Sequence, residues 1–147
     1  MAKTYYEPMH TAEHILNQTM LQLHTGKRSF STHIERKKSK VDYTFHRDLN
    51  EEEKIIVEQK VNEVIDKNLD VREKYVPLEK AGELFNLDRL PEDAGDEIRI
   101  IEVGDFDACP CIGQHVSNTR EIGIFKIVSS SFNQGVLRIR FKLLDRD

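Results

Sequence analysis

The sequence has 147 residues, of which 33% are charged and 38% hydrophobic, and its net charge is −4. A chain of this length can bury a core without crosslinks, so we expect one domain over residues 1–147. No apolar run is long enough to span a bilayer, and polar residues interrupt the N-terminal region where a signal peptide would be apolar. These features argue against a membrane-spanning chain and predict a cytoplasmic protein with no membrane partner.

The charge is unevenly distributed along the chain. Residues 50–98 carry a net charge of −8, whereas the segments before and after them are mildly basic. The negative total gives no general attraction to nucleic acid. All the histidines and both cysteines, which are the candidate ligands of the chain, lie in the two basic segments.

Two long helices are predicted in the first half of the chain. Apolar residues recur at helical spacing over residues 9–24, with Gly26 as a suitable end, and again over residues 51–69. The second helix starts with a capping box formed by Asn50 and Glu53. The apolar stripes are Ala12, Leu16, Met20 and Leu23 in the first helix, and Val57, Val61, Val64 and Ile65 in the second.

Most of the remaining chain is predicted as strands. Residues 29–34 and 41–45 are rich in β-branched and aromatic residues and flank the basic turn "RKKSK". "VREKYVPL" and "EIRIIEV" are two further strands, and "IFKIVSSSF" and "VLRIRFKLL" form a hairpin around "NQG". A short helix at "EKAGELF", a loop at "LPEDAGD" and an irregular segment at "GDFDACPCIGQHVSNTREIG" complete the pattern. The predicted class is α+β, with two long helices packed on one mostly antiparallel sheet.

Two pairs of candidate metal ligands have the same spacing. "HTAEH" places His10 and His14 four residues apart on one helix face, and "CIGQH" repeats this spacing with Cys111 and His115. Three imidazoles and one thiolate suit tetrahedral Zn²⁺, and the soft thiolate argues against Mg²⁺ or Ca²⁺. Either pair alone is more often polar surface than a metal site. The residue types therefore support a shared zinc site and two unrelated polar pairs about equally.

Two neighbouring residues bear on this site. Cys109 lies two residues before Cys111, and in an extended segment both thiols face the same way, so the choice of thiolate ligand stays open. A disulfide between cysteines this close would be strained. Glu13 is not placed like the glutamate of H-E-x-x-H, and we expect it to be a solvated charge rather than a general base.

At these residues the sequence resembles the editing domain of alanyl-tRNA synthetase and its freestanding relatives, the AlaX proteins, and more distantly the editing domain of threonyl-tRNA synthetase. "HTAEHIL" matches the family's H-T-A-x-H-L-L, and "NEEEKIIVEQKVNEVIDKNLDV" is similar to its acidic-start helix. "GDEIRIIEVGDFDACPCIGQHVSNTREIGIFKIVSSS" is similar to its G-D-x-V-R-V-V-x-I, C-G-G-T-H and T-x-x-I-G-x-F-x-I run. The motifs agree in order and spacing over nearly the whole chain. The resemblance implies the fold of this editing domain, with His10, His14, Cys111 and His115 on one zinc ion.

The resemblance also implies an activity. The expected reaction is hydrolysis of the ester that joins a wrong amino acid to the 3′ acceptor end of a tRNA, with Ser-tRNA(Ala) or Gly-tRNA(Ala) as substrate. The attacking water is expected at the zinc, with no side-chain base assigned. The implied amino-acid pocket contains Thr11 and, by a looser alignment, Ser31 and Thr32. Gln114 replaces the threonine of the family's C-G-G-T-H and is a further pocket candidate.

The tRNA partner must be held by basic residues. Candidates for backbone contacts are Lys27, Arg28, Arg36, Lys37, Lys38 and Lys40, although a solvated hairpin turn explains any one of them equally well. We expect a freestanding form without an aminoacylation domain. Two alternatives keep the same ligands: a zinc-stabilised RNA-binding or adaptor domain without activity, and a threonyl-type editor acting on Ser-tRNA(Thr).

Overall fold

The structure is a computed structural model that describes residues 7–80, 96–111 and 113–145. Its helices are α1, Glu7–Met20, which continues into a π-helical turn at Leu21–Thr25, and α2, Glu51–Asp66, with a 3₁₀ turn at Thr119–Ile122. Its strands are β1, Ser31–His33; β2, Ser39–Thr44; β3, Val71–Pro77; β4, Glu97–Val103; β5, Asp107–Pro110; β6, Ile124–Asn133; and β7, Val136–Leu144. Within these ranges no helix is long and apolar enough to cross a membrane.

The strands form two separate antiparallel sheets. One has four strands in the order β1-β2-β7-β6, and the other has three in the order β3-β4-β5. The α+β prediction is confirmed, but the expectation of a single sheet is wrong. Since β4 pairs with β3 on one side and β5 on the other, it does not join the hairpin strands.

Helix α1 is buried on nearly every side. Eleven of its 14 residues are buried, including both histidines on the face that the sequence showed as mixed. The apolar stripe is buried at Ala12, Leu16 and Met20, but Leu23 is 44% exposed, contrary to expectation. Leu23 lies in the π-helical turn, which takes more residues per turn and so rotates it out of the stripe.

Helix α2 covers the edge of the larger sheet. Its four predicted core residues are all buried, and the capping box of Asn50 and Glu53 is present. The Asn62 side chain accepts a hydrogen bond from the Phe125 N–H and donates one to the Phe125 carbonyl, both at 2.9 Å. Glu58 accepts from the Ile127 N–H at 2.8 Å. The exposed edge of β6 is thus partly paired with side chains instead of another strand.

The segment expected to be irregular contains a strand. β5 pairs with β4, with Cys109 opposite Ile101 and Pro110 opposite Ile100. A four-residue strand gives little periodicity, and its proline is tolerated because β5 lies at the edge of its sheet. The predicted short helix at "EKAGELF" and the loop at "LPEDAGD" lie almost entirely outside the described residues.

We expect Asn62→Leu to destabilise the fold by about 1–3 kcal/mol, because it leaves a backbone donor and acceptor of Phe125 without their partner. Urea unfolding followed by circular dichroism measures the change. Gln59→Leu, at an exposed position of the same helix, is the matched control and should change the free energy of unfolding by less than about 0.5 kcal/mol. Equal effects of the two substitutions would contradict this account of the β6 edge.

Candidate metal centre

The two predicted ligand pairs meet in the structure. His10 and His14 lie on successive turns of α1, and Cys111 and His115 lie in the loop that follows β5. One ligand atom from each residue falls within 4.8 Å of those of the other three. The Cys111 Sγ lies 3.5 Å from the Nε2 atoms of both His10 and His115. Residues about 100 positions apart in the chain therefore converge on one point.

The spacing of these atoms suits a tetrahedral ion. Bonds of about 2.0–2.3 Å to nitrogen and sulfur place the ligand atoms of a tetrahedral zinc site roughly 3.3–3.8 Å apart. The two sulfur–nitrogen distances of 3.5 Å fall in this range. Three imidazoles and one thiolate with ligand atoms within 4.8 Å of one another could hold a transition metal.

Two of the imidazoles have their other nitrogen held by fixed acceptors. The His10 Nδ1–H donates to the Gln114 carbonyl at 3.2 Å. The Thr11 hydroxyl donates to the Glu7 carbonyl at 3.1 Å, so its oxygen accepts from the Val116 N–H and from the His115 Nδ1–H. Both rings therefore carry their proton on Nδ1 and leave Nε2 free to bind a metal.

The third imidazole is held in the same way by β5. The His14 Nδ1 lies 3.0 Å from the Cys109 Sγ and 3.7 Å from Asp107 Oδ2. A carboxylate only accepts, so this arrangement also favours a proton on Nδ1 and a free Nε2. Cys109 thus contacts a candidate ligand from behind, while Cys111 contacts the ligand nitrogens themselves.

Asp107, Cys109 and His14 also lie close enough to form a second group of potential ligands. The positive charge in this group is supplied by a side chain, because the Arg28 guanidinium pairs with the fully buried Asp107 side chain. Burial acts to raise the pKa of Asp107, but the neighbouring His14 and the charge of Arg28 lower it overall. We therefore interpret this group as support for His14 rather than as a second metal site.

Arg99 shapes the loop that carries the thiolate. Its guanidinium donates to the carbonyls of Cys111 at 3.1 Å and Gly113 at 2.7 Å, and its own carbonyl accepts from the Cys111 N–H. Glu73 holds the guanidinium from the other side at 2.6 Å. Arg99 was not among the residues expected from sequence, and the alternation in "EIRIIEV" gave no signal of its role, because a charged residue at an alternate position is usual on a strand with one solvated face.

Gly113 packs directly against a candidate ligand. A Cβ atom at this position would lie 2.1 Å from Cε1 and 2.6 Å from Nδ1 of His10. Such distances are far below van der Waals contact, so any side chain here would displace the imidazole or the loop. The glycine is therefore required by this close approach to His10.

Burial and neighbouring groups shift the pKa values of three candidate ligands, and two of these shifts favour metal binding. Burial acts to raise the pKa of Cys111, but hydrogen bonds from His10, His115 and His14 lower it to about 3. Burial lowers the pKa of His115 to about 4 despite its hydrogen bond to Cys111. Burial also acts to lower the pKa of His14, yet the neighbouring Cys109 and Asp107 raise it well above the ordinary value. The thiolate and the neutral His115 are the forms that bind metals.

Glu13 is buried, so the expectation of a solvated charge is wrong. One carboxylate oxygen accepts from the Asn17 amide at 3.1 Å, and the other lies 3.6 Å from His10 Nε2. The Asn17 carbonyl in turn accepts from the Tyr43 hydroxyl at 2.7 Å. This network holds a carboxylate next to the candidate metal ligands.

The expected pocket residues are not all at the centre. Thr11 is fully buried, and its hydroxyl is used by Glu7, His115 and Val116, so it supports the site rather than lining it. Ser31 is exposed and pairs with Asp42 on the sheet face that points away from α1, whereas Thr32 alternates to the inner side. Gln114 is exposed beside His115.

Most of the residues expected to contact RNA are exposed, but one of them is used inside the protein. Lys27 and the turn residues Arg36, Lys37 and Lys38 are exposed, and Lys40 is partly exposed on β2. Arg28 is the exception, because its guanidinium is paired with buried Asp107 behind His14. We therefore remove Arg28 from the expected RNA contacts.

Gly113→Ala should weaken metal binding by about tenfold or more, because the added methyl group displaces His10. Competition against a chromophoric zinc chelator measures the affinity. Gly135→Ala, in the β6–β7 turn, is the control. The φ of +82° at Gly135 means that alanine strains the hairpin, but a Cβ there meets nothing within 4 Å, so metal affinity should not change. An unchanged affinity in Gly113→Ala would contradict the role given to this contact.

The two cysteines should behave differently. Cys111→Ser should abolish metal retention, whereas Cys109→Ser should keep it, since a hydroxyl oxygen can still accept from the His14 Nδ1–H. Elemental analysis of protein never exposed to chelator gives the metal content of each variant. The reverse pattern would overturn the assignment of Cys111 as the ligand.

Comparisons with known proteins agree with this geometry. Residues 98–140, which include Cys111 and His115, match the family model "Threonyl and Alanyl tRNA synthetase second additional domain". The alanine–tRNA ligases of Petrotoga mobilis, Fervidobacterium nodosum and Bacillus anthracis are 34%, 36% and 33% identical over 90%, 88% and 88% of this chain. The chain spans 15% of the length of each of these ligases. The last third of the chain is therefore similar to this domain model, and most of its length is similar to a segment of alanine–tRNA ligases, which confirms the resemblance seen in its motifs.

Proposed function

We propose that this protein hydrolyses the ester of mischarged tRNA, with Ser-tRNA(Ala) or Gly-tRNA(Ala) as substrate and zinc as cofactor. It acts in trans, on tRNA charged by another protein. The observation that carries the proposal is the convergence of His10, His14, Cys111 and His115 from two separate motifs. The relationship to alanine–tRNA ligases supports tRNA as the partner.

Zinc is proposed because of the donor set and its support. One thiolate and three imidazoles whose ligand atoms lie within 4.8 Å of one another suit this ion, and the second nitrogen of each ring has a partner that orients it. When bound, a zinc ion supplies Lewis acidity toward a carbonyl oxygen or a water molecule. Cys111 and His115 are only partly buried, so the substrate ester approaches from their side.

Residues of the chain position the substrate around this centre. Glu13 has one oxygen held by Asn17 and the other directed toward His10, where it can accept a hydrogen bond from the α-ammonium group of the amino acid. Thr32 and Gln114 are the remaining candidates for contact with a serine hydroxyl. A site that hydrogen-bonds a hydroxyl rejects analogues without one, which is the basis for sparing Ala-tRNA(Ala).

Purified protein should contain about one zinc per chain and release serine or glycine from mischarged tRNA(Ala), while leaving Ala-tRNA(Ala) intact. The assay follows acid-precipitable radiolabelled amino acid over time with the 147-residue chain as the only protein added. His14→Ala should lose both zinc and activity because it removes a buried ligand. His46→Ala, which removes an exposed histidine outside the cluster, should keep both.

Other results would favour the alternatives. A zinc-loaded protein that hydrolyses no mischarged tRNA but binds RNA would be an adaptor domain, and activity confined to Ser-tRNA(Thr) would indicate a threonyl-type editor. Thermal melts of the unsubstituted protein before and after its zinc is removed with a chelator separate two roles of the metal. A large drop in melting temperature indicates a structural ion, and an unchanged one indicates a catalytic ion.

A further inference from the structure

We propose that the outer face of the four-stranded sheet binds the phosphate backbone of the RNA, through Lys40, Lys126, Arg140 and Lys142. We name these four residues the basic sheet face. The proposal rests on the proposed function, because it locates the surface that holds the tRNA. Three of the four residues, on β6 and β7, were not among the RNA contacts expected from sequence.

The strand register places all four side chains on one surface. Lys40 on β2 is directly opposite Arg140 on β7, and Lys126 on β6 is directly opposite Lys142 on β7. Their neighbours along β2 and β7, such as Val41, Ile139 and Phe141, are fully buried against the helices. Successive side chains in a strand point to opposite faces, so the basic residues point away from the core.

The pairing of like charges is costly for the sheet itself. Two positive side chains directly opposite each other on antiparallel strands repel, and this sheet contains two such pairs in a protein whose net charge is −4. Stability alone therefore does not account for them. A polyanion bound across the face would neutralise both pairs.

Nearby acidic groups do not cancel this charge. Asp42 faces the same surface, but Arg138 holds it with two hydrogen bonds at 2.7 and 2.9 Å. Within residues 7–80, 96–111 and 113–145, none of the four basic residues forms a salt bridge. Arg140 instead donates to the hydroxyls of Ser129 and Ser131 at 3.3 and 3.5 Å. Lysine, arginine and serine side chains together form a surface suited to phosphate oxygens.

The basic sheet face continues toward the metal centre. Strand β1 lies next to β2 at the edge of the sheet, and Arg28, three residues before β1, pairs with Asp107 behind His14. Three residues span at most about 10 Å. The exposed turn with Lys37 and Lys38 borders the same edge. The β1 edge therefore joins the basic sheet face to the segment that supports His14.

The test measures binding of an uncharged RNA hairpin with an acceptor-stem sequence by fluorescence anisotropy over a range of salt concentrations. Lys126→Gln/Lys142→Gln and Lys40→Gln/Arg140→Gln should each weaken binding about tenfold or more. Each should also reduce the slope of log affinity against log salt by about 0.9 for every phosphate that is no longer neutralised, or roughly two in total. Lys60→Gln/Lys74→Gln removes two positive charges from α2 and β3, away from this face, and should change affinity less than about twofold. Thermal melts verify that each variant is folded.

Equal losses of affinity in the control would overturn the proposal, since they would show that only net charge matters. Unchanged RNA binding in both face variants would also overturn the proposal. If those variants instead lose binding to phosphatidylserine vesicles, the face binds a membrane and not RNA. Hydrolysis of mischarged tRNA is measured separately with the unsubstituted protein. If the unsubstituted protein is active and the face variants bind RNA normally, the proposed RNA surface is wrong and the editing function is retained. If the unsubstituted protein is inactive and the face variants lose RNA binding, the RNA surface is retained and the editing function is wrong.

Discussion

The structure depends on the nearly complete burial of α1. A helix buried on both its apolar and its polar sides must find partners for every polar side chain, because an unpaired buried group costs about 1–3 kcal/mol. Thr11, Glu13, His14 and Asn17 all have such partners, which come from the β5 strand, the loop after it, β2 and α1 itself. The same contacts that satisfy the helix also orient its histidines. Packing of α1 therefore also positions the candidate metal ligands His10 and His14.

The loop that supplies the other two ligands is held from outside α1. Arg99 binds two of its carbonyls, and Gly113 lets it approach the face of His10. These constraints act on the backbone, so the side chains of Cys111 and His115 reach the centre without a regular helix or strand to carry them. A site supported in this way is preorganised, which favours both tight metal binding and a defined open side for a substrate.

Much of the architecture could be predicted because its signals are local. The core stripe of α2, its capping box and the β6–β7 hairpin all appear where periodicity and turn residues indicated. The errors are at positions that regular helical periodicity does not describe. Leu23 leaves its stripe because the helix widens into a π-helical turn, and Glu13 is buried in a network that runs through Asn17 to Tyr43 on β2.

The sequence by itself determined the two long helices and the family resemblance, and it indicated the four candidate ligand residues, since these depend on residue type and short-range spacing. The tertiary structure alone decided which cysteine faces the ligand nitrogens, that Thr11 and Arg28 support histidines, and that Arg99 shapes the loop. It also decided that four basic side chains from three strands share one face. These relations join residues far apart in the chain. They are set by strand register and burial, which leave no pattern in the local sequence.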